Sequence, residues 1–118
     1  MESHKLVMPE HLNHFGYLFG GYLLKWVDEY AWITATLEYP GCNFVTIGMD
    51  HIEFRKSVMK GTILTFQVAR KTTGNTSVQY GVMVFRGNTR QEETDMIFST
   101  HVTFVRVDEK GDKMPLPT

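Results

Sequence analysis

The chain has 118 residues, 42% of them hydrophobic and 21% charged, with twelve basic side chains against thirteen acidic ones. That length can bury one core without disulfides or a structural metal, and the near-neutral balance gives no overall attraction for nucleic acid or an anionic membrane. Cys42 is the only cysteine, which excludes an intrachain disulfide and favours a reducing compartment.

Taken in chain order, Met1–Lys5 leads into a short apolar run with no long hydrophobic segment or small-residue cleavage site, so a cytoplasmic address is expected. Leu6–Met8 reads as a short strand stopped by Pro9, and residues 9–19 as a polar loop with at most one helical turn. From Gly20 to Leu37 no proline intervenes, which predicts a helix about 27 Å long. Lys25, Asp28 and Glu29 interrupt it, so it is no membrane span. Its apolar residues occupy most of the circumference, the mark of a central core helix, and Glu38-Tyr-Pro-Gly41 ends it with turn chemistry.

Everything later alternates with period two. Residues 43–54 carry Val45, Ile47 and Met49, then change phase to Ile52 and Phe54, which predicts a bulge near Asp50-His51. Residues 62–70 present Leu64, Phe66 and Val68 on one face, residues 76–86 Val78, Tyr80, Val82 and Val84, and residues 95–107 Met96, Phe98, Val102 and Phe104. Thr72–Asn75 and Arg86–Thr89 read as hairpin turns. The segment after about residue 108 is polar and contains Pro115 and Pro117, so a loosely ordered tail is expected.

One long apolar helix and a run of hairpin-linked strands define a single α+β domain over residues 1–118, a curved antiparallel sheet of five to six strands wrapping a central helix. One small sheet cannot enclose that helix. A second copy that extends the sheet edge to edge completes the burial, so a homodimer is expected.

Residues 8–28 hold the most pointed chemistry. A loop with Asn13 and Gly16 runs into Gly20-Gly21 at the helix start, and Asp28 follows about two turns in. Backbone N–H groups at a helix start lack partners and sit at its positive end, and glycine leaves them open to a substrate. Gly21 N–H, with Gly20, is the candidate oxyanion donor. Asp28 is the candidate general base, with direct attack through an anhydride as a variant, and Asn13 can orient a water or a carbonyl. His11 and His14 have metal-like spacing but no third ligand at a useful distance, so no metal is expected. His51 and His101 read as ordinary strand residues.

Met8-Pro9, then Asn13-x-x-Gly16-x-x-Phe19-Gly20-Gly21 and Asp28, resembles the hotdog-fold acyl-CoA thioesterases of the acyl-CoA hydrolase type. Asp50-His-Ile-Glu-Phe54 with Val58 and Gly61, and Arg70-x-x-x-Gly74-Asn-Thr-Ser77, follow in the family's order. The resemblance covers roughly residues 6–107, departing at Ser57, where many relatives have proline, and at Thr62, where they have an acid. It implies a hotdog fold and a site at a dimer interface, with Asn13 and Asp28 supplied by different subunits. It also implies hydrolysis of acyl-CoA to CoA and a carboxylic acid without a cofactor, the CoA belonging to the substrate. Phe54, Arg55, Lys56 and Ser57, with Arg70, Thr76 and Ser77, are the candidate CoA contacts. The assembly expected is a homodimer or a trimer of dimers, without nucleic acid or membrane. Two alternatives stay open: a non-catalytic acyl-CoA sensor, and a hotdog-fold hydratase or dehydratase.

Overall fold

In the computed structural model, which describes residues 1–87 and 95–117, the helical run forms one helix, α1, over Gly20–Glu38. Phe19 precedes it in extended conformation, and Tyr39 N–H closes it on the Ala35 carbonyl at 2.9 Å. Gly41, at φ +84°, then reverses the chain, a conformation that glycine adopts without a Cβ clash. Before the helix lie strand β1 (Glu2–Leu6) and a 3-10 turn (Pro9–His11). After it come β2 (Asn43–Phe54), β3 (Ile63–Thr73), β4 (Ser77–Arg86) and β5 (Met96–Val107).

The five strands form one antiparallel sheet in the order β1-β3-β4-β5-β2. The face toward α1 carries Leu64, Phe66 and Val68 of β3, Val78, Tyr80, Val82 and Val84 of β4, and Phe98, Val102 and Phe104 of β5, all buried. These are the faces that alternation predicts. They close on a stripe of α1 made by Leu23, Trp26, Val27, Ala31, Thr34 and Ala35. Each large side chain buried here contributes about 1.5–3 kcal/mol, and Phe66, Tyr80, Phe98 and Phe104 are fully enclosed.

As expected of one small sheet, the helix is not enclosed on every side: Trp32 and Leu37 remain 42% and 64% exposed. Two expectations about the strands need correction. Val45 and Ile47 are 45% and 58% exposed, because β2 is an edge strand. Phe44 is the β2 side chain that turns inward, and a first register shift at Ile47 precedes the expected one between Asp50 and Glu53. The first strand is Glu2–Leu6 rather than Leu6–Met8, paired with β3 through polar residues such as Ser3 and His4.

The segment after residue 108 is ordered, not loose. Met114 N–H donates to the Arg106 carbonyl at 3.0 Å and Leu116 N–H to the Asn75 carbonyl at 2.9 Å, while Leu116 packs on the core. Of the two expected hairpin turns, that at Thr72–Asn75 is closed by Gly74 N–H on the Ser77 carbonyl. The other extends past Gly87, and its Asn88 and Thr89 lie outside the described residues. No helix among the described residues is long and apolar enough to cross a membrane.

Candidate active site

The loop before α1 is held by its own hydrogen bonds. Asn13 Oδ1 accepts from Phe15 N–H at 2.9 Å and from Tyr17 N–H at 3.1 Å. Asn13 N–H donates to the Tyr17 carbonyl at 2.7 Å, and Gly16 turns the corner at φ +86°. Two backbone donors on one side-chain atom identify that atom as the oxygen. The Asn13 NH2 group is therefore what faces outward, and what this residue offers a ligand is a donor.

His11, which sequence reasoning weighed only as a metal ligand, fastens this loop to the helix. Its buried Nδ1 accepts Met8 N–H at 2.9 Å and its carbonyl accepts Phe19 N–H at 2.9 Å. Its ring stands edge-on to Tyr22 and Trp26. Because Nδ1 accepts, the ring proton resides on Nε2. His14, by contrast, is exposed beside Phe15.

At the helix start, Gly20 N–H and Gly21 N–H have no acceptor among the described residues, as the first helical positions require. A Cβ on Gly20 would meet the Phe54 ring at 3.6 Å, and one on Gly21 would strike the Phe19 ring at 2.7 Å. At Gly20 the bare backbone thus lies along a cleft whose wall a Cβ would just touch, and at Gly21 it lets the Phe19 ring lie over the first turn. That cleft, of about 320 Å³, joins Asn13 and Gly20 to Phe54, Arg55, Lys56 and Ser57. Phe54 forms its wall against Phe98, with ring centroids 4.8 Å apart. Arg55 Nη2 reaches Glu53 at 3.0 Å.

Asp28 lies elsewhere. It sits about 12 Å further along the helix axis than Gly20, half-buried on the side facing β2. Its Oδ1 accepts from Thr46 Oγ1 at 2.6 Å, a short charge-assisted bond that fixes the carboxylate and leaves Oδ2 unengaged among the described residues. Thr46 went unnoticed in the sequence, where nothing links it to Asp28. Trp32, one turn on, donates from Nε1 to the Phe44 carbonyl at 3.1 Å, so this flank of α1 is tied to the edge strand twice.

Arg70, Thr76 and Ser77 lie at the opposite end of the helix. Arg70 Nη1 donates to Tyr39 Oη at 2.8 Å and stacks over that ring. Nearby, Tyr80 Oη donates to Glu38 at 2.7 Å. Burial, then that hydrogen bond, holds the Tyr80 phenol well above its ordinary range. A single chain therefore assembles Asn13, the helix start and the Phe54–Ser57 segment, and leaves Asp28 and the Arg70 hairpin apart from them.

Residues 15–93 match the thioesterase superfamily. The chain is 31% identical over 112 residues to protein VdlD of Helicobacter pylori, covering 95% of this chain and 63% of that one. It spans less than two thirds of the curated relatives it first matches, and only 18% of mouse acyl-coenzyme A thioesterase 11. Among solved structures, a hexameric hotdog fold thioesterase of Campylobacter jejuni aligns with TM-score 0.83 at 30% identity, covering 98% of this chain and 88% of that one. An acyl-CoA hydrolase of Staphylococcus aureus, solved with butyryl coenzyme A, coenzyme A and coenzyme A disulfide, aligns with TM-score 0.87 at 28% identity, covering 99% and 71%. Alanine variants of that hydrolase replace an asparagine, an aspartate and a threonine, the first two as far apart in sequence as Asn13 and Asp28 are here.

Proposed function

The chain belongs to the thioesterase superfamily, with the hotdog fold, and we propose that it hydrolyses acyl-CoA to CoA and a carboxylic acid at sites shared between two copies of the chain. One observation carries the shared-site reading: the Asn13 donor group and the Asp28 carboxylate occupy separate places on one chain, each on a surface left uncovered. Phe15, Tyr17 and Phe19 are exposed beside the first, and Trp32, one helical turn from Asp28, beside the second. The long β2 edge offers unpaired backbone groups on that flank. Pairing β2 with its two-fold mate extends the sheet, covers the apolar flank and brings one chain's loop toward the other's Asp28. The hexameric relative from Campylobacter jejuni is compatible with a trimer of such dimers.

In this site the thioester oxygen lies against the helix start, where Gly21 N–H, helped by Gly20 N–H, stabilises negative charge as it develops. Asp28, held through Oδ1 by Thr46, uses Oδ2 to take a proton from a water. That water's oxygen bonds to the carbonyl carbon, and Asn13 NH2 donates to the same group. The tetrahedral oxyanion then collapses, the carbon–sulfur bond breaks, and the departing CoA thiolate receives the proton from Asp28. The chemistry calls for no metal or cofactor. Phe54, Arg55, Lys56 and Ser57 flank the cleft where the pantetheine arm and phosphates approach. Arg70, Thr76 and Ser77 contribute from the partner copy, since antiparallel helices set one helix's end beside the other's start. The buried free thiol of Cys42 suits a cytoplasmic address.

Thiol release from acyl-CoAs of graded chain length tests this reading. Release by the wild-type chain, with Asp28→Asn lowering kcat by about a hundredfold or more while CoA binding persists, is expected. Tight CoA binding without release would make the chain a sensor instead, and full activity in Asp28→Asn would remove that residue from the base role.

A further inference from the structure

On the sheet face turned away from α1, Asp50, His51 and His101 bring one carboxylate oxygen and two imidazole nitrogens within 4.8 Å of one another. We infer that this cluster is a transition-metal site, suited to Zn²⁺ and its neighbours, that clips edge strand β2 to β5. It lies outside the hydrolytic machinery: Asp50 is roughly 13 Å along β2 from Thr46, on the opposite sheet face.

Two independent features support it. The first is the donor set. Two imidazoles and one carboxylate suit zinc, cobalt and nickel, and here they come from paired strands, since Asp50 stands opposite His101 in the register. His101 Nδ1 and Asp50 Oδ1 are 3.9 Å apart, and the rings of His51 and His101 meet edge-on with centroids 5.2 Å apart. Bond lengths of about 2.0 Å in a tetrahedron require ligand atoms about 3.3 Å apart, so small side-chain rotations close the set. Glu53, which lines the same depression, is engaged by Arg55 at 3.0 Å and is not needed. The remaining coordination positions open onto a depression of about 670 Å³ that His51 and His101 line.

The second feature is backbone strain. His51 is the only non-glycine residue with positive φ, at +52°, among the described residues. It sits in the register shift between Asp50 and Glu53. A bulge position of this conformation takes glycine without steric cost, so the fold does not ask for an imidazole there. The strained backbone aims that imidazole at His101, and Thr100 Oγ1 pins the bend by donating to the Asp50 carbonyl at 2.7 Å. An off-region residue that persists with a metal-binding side chain points to use of that side chain.

The test uses tag-free full-length protein titrated with Zn²⁺ alone and with Co²⁺ alone, followed by calorimetry, visible ligand-field absorption and melting temperature. One equivalent per chain, cobalt bands and a metal-dependent rise in melting temperature are expected. His101→Ala and Asp50→Asn should weaken binding at least about tenfold, since even outer partners of a metal cost that much. His51→Gly relieves the strain and so must fold: it should match or exceed the wild-type melting temperature without metal, yet lose the metal-dependent rise. Absence of saturable binding in the wild type, or undiminished binding in both His51→Gly and His101→Ala, overturns the inference.

Discussion

Replacing Thr46 by valine keeps the shape of the side chain and deletes one hydrogen bond, that from Oγ1 to Asp28 Oδ1 at 2.6 Å. A hydrogen bond to a charged group contributes about 1.5–3 kcal/mol. Thr46 is exposed and Asp28 half-buried, so water compensates in part and the lower end, about 1.5 kcal/mol, applies. If the bond holds the carboxylate toward its water, this energy is lost in the transition state, and kcat falls about tenfold. Nothing in the bond touches the CoA end of the substrate, so KM should stay within about twofold. Thr46→Ser keeps the hydroxyl and should recover most of the rate. Steady-state thiol release with a short-chain acyl-CoA reads both constants. A wild-type kcat in Thr46→Val, or a loss that Thr46→Ser fails to rescue, would refute the assignment of Thr46 as the residue that positions Asp28.

Gly20→Ala should be tolerated, because its Cβ meets Phe54 at an ordinary 3.6 Å and the helix gains up to about 1 kcal/mol from the better helix former; melting temperature rises and activity persists. Gly20→Leu fills the cleft between Asn13 and Phe54 and should raise KM strongly, which substrate titration reads. Tyr80→Phe deletes the bond to exposed Glu38 and should cost about 1 kcal/mol in urea unfolding. Because burial first, and the Glu38 bond second, raise the Tyr80 phenol, its contribution is complete below pH 10, where the unfolded phenol is also protonated. Above that the unfolded chain ionises first and stability falls by about 1.4 kcal/mol per pH unit. Tyr80→Phe should flatten this alkaline slope, and an unchanged slope would assign it to other groups.

Period and turn chemistry made α1 and the cores of β3 to β5 legible, because Phe66, Tyr80, Phe98 and Phe104 alternate onto one buried face. The first strand was misplaced because an edge strand needs only backbone pairing: Ser3 and His4 lie opposite Phe66 and Thr65 without any apolar rhythm of their own. The C-terminal segment read as loose because of its prolines, yet the amides of Met114 and Leu116 make the bonds while Pro115 and Pro117 fall at alternate positions that need no donor. At the site, Asn13, Gly20 and Phe54–Ser57 carried motif signals and do line one cleft. Thr46 carried none. Its meeting with Asp28 depends on which face of an edge strand follows Phe44, and His51 and His101 are joined only by strand pairing across a bulge.

The central claim, that Asn13 of one copy serves Asp28 of another, is tested most directly by subunit mixing. Asn13→Asp keeps the oxygen that accepts from Phe15 and Tyr17 and puts a charged, acceptor-only oxygen in place of the donor, so the loop keeps its hydrogen bonds while the donor is lost. This variant and Asp28→Asn, each inactive alone, are denatured together in equal amounts and refolded. Random pairing makes about half the dimers mixed, and each mixed dimer holds one intact site and one doubly altered site, so about a quarter of wild-type thiol release should return. Release no greater than the sum of the two parents would contradict the shared site and put the whole reaction within a single chain.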